Sequence, residues 1–523
     1  MDIPSILRKS CQMYAGNIAV TFEGRRQSYA QLWERACRLA NALSGLGLSP
    51  GDRVAILADN QLECLEQAAG LALAGLVRCP MYVLNTASTH AHMLENVGAR
   101  ACIVQDKYAA DLAGLRDQVP GLKHLIVVGD DAAGPDLLGY EALIAAAAAG
   151  DPGVALSPDD DHIIRFSAGT TGRPKGILHS GAGWLAMGNE FALAGPGIEE
   201  SDAYLVASPM SHAAGLMIWP MLASGARYVI TPGFDPARFL DLIERERCTM
   251  TMVVPTMIQM LARVPEARTR DLSSLKSVSY GAAPITERTL KAGLELWGNI
   301  MYQFYGQSEA LPGTVLTPRY HLPGGSERER RYLASAGRPT LNTVITIRDD
   351  DDNVLRTGDT GEICIRTPGA MKGIWADAGA TAARLTRDGA VRTRDMGYLD
   401  EDGFLYIVDR KEDMIISGGY NIWPLEIENA LAAHPDVQEV AAVGVPDGTW
   451  GESVFAVVVL EPGSTMTESD LIEWARAKVG PVKKPRRIEI SAEPLPKSVA
   501  GKLLRRQVRD KFWTGQDRGI HGA

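Results

Sequence analysis

The chain has 523 residues, too many for a single hydrophobic core, so two or more domains are expected. Hydrophobic residues make up 46% and charged residues 22%, the balance of an ordinary soluble globular protein. A net charge of −10 excludes a general nucleic-acid binder, because phosphate backbones select basic surfaces, but leaves room for a local basic pocket that holds a nucleotide. The seven cysteines (Cys11, Cys37, Cys64, Cys79, Cys102, Cys248 and Cys364) are scattered, odd in number and without a C-x-x-C pair. That fits reduced thiols and a cytoplasmic protein, not a disulfide framework or a zinc site. The N-terminus lacks a long apolar segment, so no signal peptide is expected. No apolar run reaches the roughly 18 residues of a membrane span.

Tyr29 to Leu43 reads as a helix. Ser28 caps it, Gln31 completes a capping box, and Leu32, Ala36, Leu39, Ala40 and Leu43 fall at helical spacing. Arg53 to Leu57 is a strand, Leu62 to Ala74 an apolar helix, and Leu76 to Tyr82 and Ala101 to Val104 strands. A further helix leads to the strand Leu125 to Val128. Strands alternating with helices imply α/β layers around a mostly parallel sheet. The alanine run Ala145 to Ala149 reads as a small helix.

The next stretch is Ser167-Ala168-Gly169-Thr170-Thr171-Gly172-Arg173-Pro174-Lys175-Gly176, between the short strands His162–Phe166 and Ile177–His179. Glycines let backbone N–H groups approach an anion, hydroxyls add donors and a lysine adds a point charge, so the loop suits a phosphate. It is not a Walker A loop, because Arg173 and Pro174 separate Gly172 from Lys175. Ser208 to Leu216, containing His212, opens an apolar helix through Trp219 and Leu222. Ser277 to Pro284 and Tyr302 to Glu309 are each a strand followed by a small-residue turn. In α/β sheets ligands sit at such carboxyl ends of strands. Glu309 beside a phosphate site is a natural Mg²⁺ ligand.

From Val344 the texture turns to β: Val344–Arg348, Gly361–Arg366 and Gly403–Val408 read as strands, with Arg394 to Tyr398 in a turn between them. Asp409 to Asp413 is a charged boundary. Beyond it, strand Met414–Ile416, Gly418-Gly419, a helix from Pro424, strands Val440–Val445 and Val454–Leu460 and helix Glu468–Val479 make a small α+β domain. The expected fold is therefore α/β. A large multi-layered domain, residues 1–409, has mostly parallel sheets plus a β-barrel-like part. A hinge at 410–413 joins it to a small mobile α+β domain, 414–523.

Taken singly, each of these stretches is a plain turn or surface loop. Together, in order, SAGTTGRPKG, PMSHAAGL, GAAP, YGQSE, RDMGYLDEDGF, DRKEDMI and PKSVAGK resemble the adenylate-forming superfamily of acyl-CoA synthetases, adenylation domains and beetle luciferases. The resemblance covers nearly the whole chain and implies ATP, Mg²⁺ and CoA as co-substrates. Its implied catalytic set is Lys502, Thr170, Glu309 and His212. Ser167, Gly169, Thr170, Thr171, Gly172 and Lys175 would hold the β- and γ-phosphates. Gly281, Ala282, Ala283, Tyr305 and Gly306 would line the adenine, Ser308 would touch the α-phosphate and Glu309 would bind the metal. Asp395 would take the ribose hydroxyls with Arg410 beside it. Lys502 would reach over from the small domain, which rotates about Glu412 between the two half-reactions. That rotation would bring up Gly418 and Gly419 as a pantetheine tunnel braced by Trp450.

Three residues depart from the family pattern: Ala168 in the phosphate loop, Ser308 in place of a commoner Thr, and Glu412 at the pivot. The implied acyl pocket draws on His212, Trp219, Tyr280, Gly281, Gly306, Leu311 and Gly313, small or apolar positions that suit an aryl, alicyclic or medium- to long-chain acid. No buried Arg for a dicarboxylate is evident there. The expected partners are a small carboxylic acid and CoA, with no nucleic acid; a homodimer stays open. An adenylate-only or carrier-protein-loading ligase is the alternative, although the insertion typical of free-standing fatty acyl-AMP ligases is not seen between Gly337 and Asp395. Luciferase-like oxygenation and a non-enzymatic nucleotide module are the remaining readings. The second is disfavoured by the joint presence of Lys175, Glu309, Asp395 and Lys502.

Overall fold

The computed structural model describes residues 2–129, 137–167, 174–497 and 503–513. Two large sheets organise the N-terminal part. In the first, the parallel strands Met301–Gln307, Ser277–Gly281, Met250–Val253, Ala203–Val206, Arg227–Ile230 and Ile18–Phe22 lie side by side, with antiparallel strands at both edges. In the second, the parallel strands Val77–Pro80, Arg53–Leu57, Ala101–Gln105 and His124–Val128 continue into Asp161–Ser167, which forms a hairpin with Lys175–Ser180. Helices cover both sheets, and the core between them holds Tyr29, Leu39, Trp184, Trp219 and Tyr228, each at most 1% exposed. The helix Tyr29–Gly45 starts where the capping box predicts, with both reciprocal bonds between Ser28 and Gln31 present.

The β-textured stretch forms a four-stranded antiparallel sheet, Val344–Arg348, Gly361–Arg366, Val391–Leu399 and Leu405–Arg410. It is open: among the described residues no ladder joins its first and last strands. Arg394 to Tyr398 lies inside a strand, not in a turn. The Asp and Gly that suggested a turn occupy inward positions, with Thr393 and Asp395 buried on the same face, and Arg394 (φ 60°) bulges the strand at that point. The alanine run is not a helix of its own; the helix Tyr140–Ala146 ends inside it. His212 precedes a 3₁₀ turn, Ala213–Met217, and the helix proper is Ile218–Ala223.

After the 3₁₀ turn Lys411–Asp413 comes the smaller α+β domain. Its sheet contains Ile415–Ser417, Tyr420–Ile422, Val437–Asp447, Gly451–Leu460 and Arg487–Ser491. The sequence gives no sign of the three-residue strand Tyr420–Ile422. Helices Pro424–Ala432 and Glu468–Lys483 pack on this sheet over a core of Ile415, Ile427, Leu431, Ala456 and Leu471. All seven cysteines are free, six of them buried and Cys64 half-buried. No described helix is long and apolar enough to cross a membrane.

Candidate active site

The site is built at the carboxyl ends of two adjacent parallel strands. Gly281 pairs with Phe304, so the GAAP turn and Tyr305 emerge side by side. A glycine is required there: a Cβ on Gly281 would stand 2.3 Å from the Phe304 carbonyl oxygen. Ala282 follows in the left-handed region at φ 68°, unusual for a residue with a Cβ, and turns the chain over the strand ends. The phosphate-loop hairpin arrives from the other sheet. Ser167 and Lys175 are paired at its end, while Gly169, Thr170, Thr171 and Gly172 lie outside the described residues. His179 Nε2, on that hairpin, is 2.9 Å from the Ser308 carbonyl and ties the two sheets together beneath the site. Lys175 Nζ lies 3.6 Å from Asp377 Oδ2, and both side chains are partly exposed.

Asp395 accepts from three side chains. Tyr305 donates its hydroxyl to Oδ2 at 2.8 Å, Gln307 Nε2 donates to the same oxygen at 2.7 Å, and Arg410 Nε pairs with Oδ1 at 2.6 Å. Burial, with Asp395 alongside, holds the Tyr305 phenol well above its usual range, so it stays a donor. Glu309 is buried, and its Oε1 pairs with Arg384, which also donates to the Arg392 carbonyl. Among the described residues no cluster of three metal-ligating side chains exists. Mg²⁺ is normally held by one or two carboxylates plus substrate phosphates. Glu309 follows Ser308, whose carbonyl meets His179 of the phosphate hairpin, and its hard oxygen Oε2, left over by the Arg384 pair, is of the type that suits that role.

His212 Nδ1 is 2.8 Å from the Tyr82 hydroxyl, with the two rings stacked at 4.1 Å. Tyr82 also reaches the Phe166 carbonyl at 3.3 Å, which fixes His212 against the phosphate-loop strand. Gly306 lies against Leu311 and the Ala310 carbonyl, and Gly313 against Ile365. Other expected pocket residues face elsewhere. Tyr280 points into the opposite layer, its hydroxyl 2.9 Å from His321 Nε2, and Trp219 is sealed in the core with its ring 5.8 Å from His162. A small cavity of about 20 Å³ lies on the Ser277 and Ser279 face of that strand, lined also by Phe191, Tyr204, Met252 and Tyr302. Strand alternation puts Tyr280 on the opposite face from Ser277, Ser279 and Gly281. Arg165 is another surprise. It is 4% exposed, lies over the Trp184 ring, and its Nε and Nη1 have no hydrogen-bond partner among the described residues.

On the small domain, Gly418 (φ 58°) turns the hairpin to Tyr420, and a Cβ there would meet the Trp450 ring at 2.4 Å. Gly419 and Trp450 are exposed, and Arg486 sits over the Trp450 ring at 5.1 Å. Lys502 lies outside the described residues. Gln307 and Arg384 were missed by sequence reading: Gln307 stands inside the YGQSE motif, while Arg384 reaches Glu309 from 75 positions away.

The family profile described as "AMP-binding enzyme" matches residues 7–375, and that of the "AMP-binding enzyme C-terminal domain" matches 426–502. The chain belongs to the AMP-binding enzyme family. This AMP-binding enzyme is 34% identical over 520 residues to the medium/long-chain-fatty-acid–CoA ligase FadD8 of Mycobacterium tuberculosis, covering 96% of this chain and 89% of that protein. It is 35% identical to a feruloyl-CoA synthase of an Amycolatopsis species, covering 94% and 96%. It superposes on ATP-bound MatB of Rhodopseudomonas palustris with a TM-score of 0.88 at 25% identity, over 98% of this chain and 99% of that one; on apo MatB the score is 0.76, over 98% and 99%. The AMP-binding enzyme is an AMP-forming acid–CoA ligase, using ATP and CoA.

Proposed function

We propose that the chain activates a carboxylic acid with a hydrophobic body, aryl or medium- to long-chain, and that it does so with Mg²⁺ held at Glu309. The reading is carried by the convergence of Tyr305, Gln307 and Arg410 on Asp395, at strand ends that meet the phosphate hairpin. The acid would extend into the small cavity beside Phe191, whose ring lies 4.5 Å from that of Phe304, and would have to widen it on binding. Its lining is mostly methionine and aromatic, suited to an apolar body, with Ser277, Ser279 and Tyr302 as polar points. The acyl groups in the names of the relatives, medium- or long-chain fatty and feruloyl, fit that lining.

In the first half-reaction a carboxylate oxygen attacks the α-phosphorus and pyrophosphate leaves. Two anions meet, so fixed positive charge and alignment matter more than a base. Bound Mg²⁺ would supply charge neutralisation on the phosphates. Lys175 would hold the β- and γ-phosphates, Asp395 the ribose, and Lys502 the carboxylate and α-phosphate. His212, fixed by Tyr82, would border the acid's entry. In the second half-reaction the CoA sulfur attacks the acyl carbon and AMP leaves. A thiol of pKa near ~8.5 is a few per cent thiolate at neutral pH, so a dedicated base is not required.

The test is mass spectrometry of products from purified protein, Mg-ATP, CoA and a pool of benzoate, cinnamate, octanoate, palmitate and cholate. A CoA thioester of an aryl or fatty acid is expected. Acyl-AMP without thioester would overturn the CoA acceptor and lead to a carrier protein as the next addition. Lys502→Ala is expected to lower pyrophosphate exchange by about three orders of magnitude, a loss within the range of electrostatic contributions, and to spare thioester formation from supplied acyl-adenylate. Equal loss in both would remove it from its role.

A further inference from the structure

We propose that Asp409 and Arg505 form a latch across the pivot, which holds the small domain in its adenylate-forming placement and makes Arg505 a positioning residue for the segment that carries Lys502. The inference rests on the ligase reading above, with the pivot at 410–413. Arg505 begins the helix Arg505–Asp510 and is half-buried between three carboxylates. Its Nε donates to Glu428 Oε1 at 2.7 Å and its Nη2 to Glu428 Oε2, while its Nη1 donates to Asp409 Oδ1 at 2.8 Å and to Asp413 Oδ2 at 3.2 Å. Asp409 is 4% exposed and sits at the end of the strand Leu405–Arg410. Its Oδ2 also accepts the N–H of Leu425, in the first turn of the helix Pro424–Ala432, at 2.6 Å.

Chain order separates these bonds into two kinds. Asp413 and Glu428 follow the pivot and travel with Arg505 when the small domain turns. Asp409 precedes it and stays behind. The bonds from Arg505 and from the Leu425 N–H to Asp409 are therefore specific to one placement. Other contacts between the two parts are outlying: Arg288 and Arg263 reach Glu461 at 3.1 and 3.6 Å, and both arginines are well exposed, where water screens an ion pair. A buried, multiply bonded carboxylate discriminates between placements far better. Burial pushes the Asp409 carboxyl up to about 6 despite the pull of Arg505, so losing that partner would leave it still less able to hold its charge.

Two observations identify the placement. The Gly419–Tyr420 tip and Trp450 are exposed to solvent, not enclosed in a tunnel. The chain also superposes better on the ATP-bound than on the apo form of MatB. Neighbouring residues then link nucleotide to latch: Arg410 pairs with Asp395 on one side of the strand end, and Asp409 with Arg505 on the other.

The experiment compares D409N and R505K with the unaltered protein in the two half-reactions. The probes are ATP, pyrophosphate and the pool acid that gives the most product, then its pre-formed acyl-adenylate with CoA. Asn keeps the shape of Asp409 without its charge, and Lys keeps a cation for Glu428 without the forked reach. Both variants are expected to lose at least tenfold in pyrophosphate exchange and to stay within twofold in thioester formation. Equal losses, or unchanged exchange, would overturn the latch. An unaltered protein that exchanges pyrophosphate with no acid would instead overturn the ligase reading.

Discussion

Asp395 accepts from a phenol, an amide and a guanidinium at once, and these donors fix the direction of both its oxygens. Asp395→Asn should raise the KM for ATP about tenfold, the loss of roughly one charge-assisted hydrogen bond, and leave the KM for the acid nearly unchanged. An unaltered ATP KM, measured at saturating acid, would remove Asp395 from the nucleotide site. The variant should also lose about 1–2 kcal/mol of stability, below the ~3–5 of a fully buried pair because Arg410 is half-exposed. Tyr305, Glu309 and Asp395 were legible in the sequence because a short motif surrounds each. Arg384 and Tyr82 were not. Their partners are distant in sequence, and a lone arginine or tyrosine between strands looks like any surface or core residue until the fold brings it in.

Among the elements, the pair of parallel strands Ser277–Gly281 and Met301–Gln307 positions the nucleotide end. Gly281→Ala would push a Cβ into the neighbouring carbonyl at 2.3 Å, so the strands must separate. We expect kcat/KM for ATP to fall at least tenfold, with overpacking costing about 1–3 kcal/mol. A crystal structure of the variant with unmoved strands would contradict that. The small-domain hairpin should behave differently. A Cβ on Gly419 meets nothing within 4 Å in this arrangement, but φ is 82°. Gly419→Leu should therefore cost about 1–2 kcal/mol of backbone strain, spare pyrophosphate exchange and depress thioester formation. Normal rates in both half-reactions would dismiss the tunnel. Most strands and helices were legible from apolar periodicity. The strand Val391–Leu399 was not, because its inward positions carry Thr, Asp and Gly in place of an apolar run. The inward turn of Tyr280 towards His321 was not legible either: a strand buried on both faces gives no periodic sign of which side a given residue faces.

At the scale of the whole molecule, buried histidines set the response to acid. Burial pushes His162 and His179 down to about 3 and His321 to about 4. The unfolded chain takes a proton on each below pH ~6.5, while the folded chain refuses it. Stability is therefore lost as pH falls through that window, by about 1.4 kcal/mol per pH unit for each histidine. Asp409, raised to about 6, has the opposite sign: its contribution grows as pH falls from about 6 towards ~4. Three groups outweigh one, so the urea midpoint should fall steadily from pH 6.5 to 4.5, and His321→Gln should make the slope shallower. A midpoint that rises on acidification would refute the assignment. The division into a large and a small domain was legible from the charged run after Val408 and the compact α+β pattern that follows it. How the two parts touch was not, because Asp409 and Arg505 look like ordinary surface charges in sequence.

The seven free thiols acquire a further meaning in a protein that makes an activated acyl group. Burial lifts Cys11, Cys37, Cys64, Cys248 and Cys364 to about 12, and Cys79 and Cys102 higher still. A mixed anhydride waiting for its acceptor is a hazard to any nearby sulfur nucleophile. Here burial favours the neutral form of every cysteine thiol, six of them buried and Cys64 half-buried, so the catalyst offers little thiolate for self-acylation while the incoming thiol is free to react.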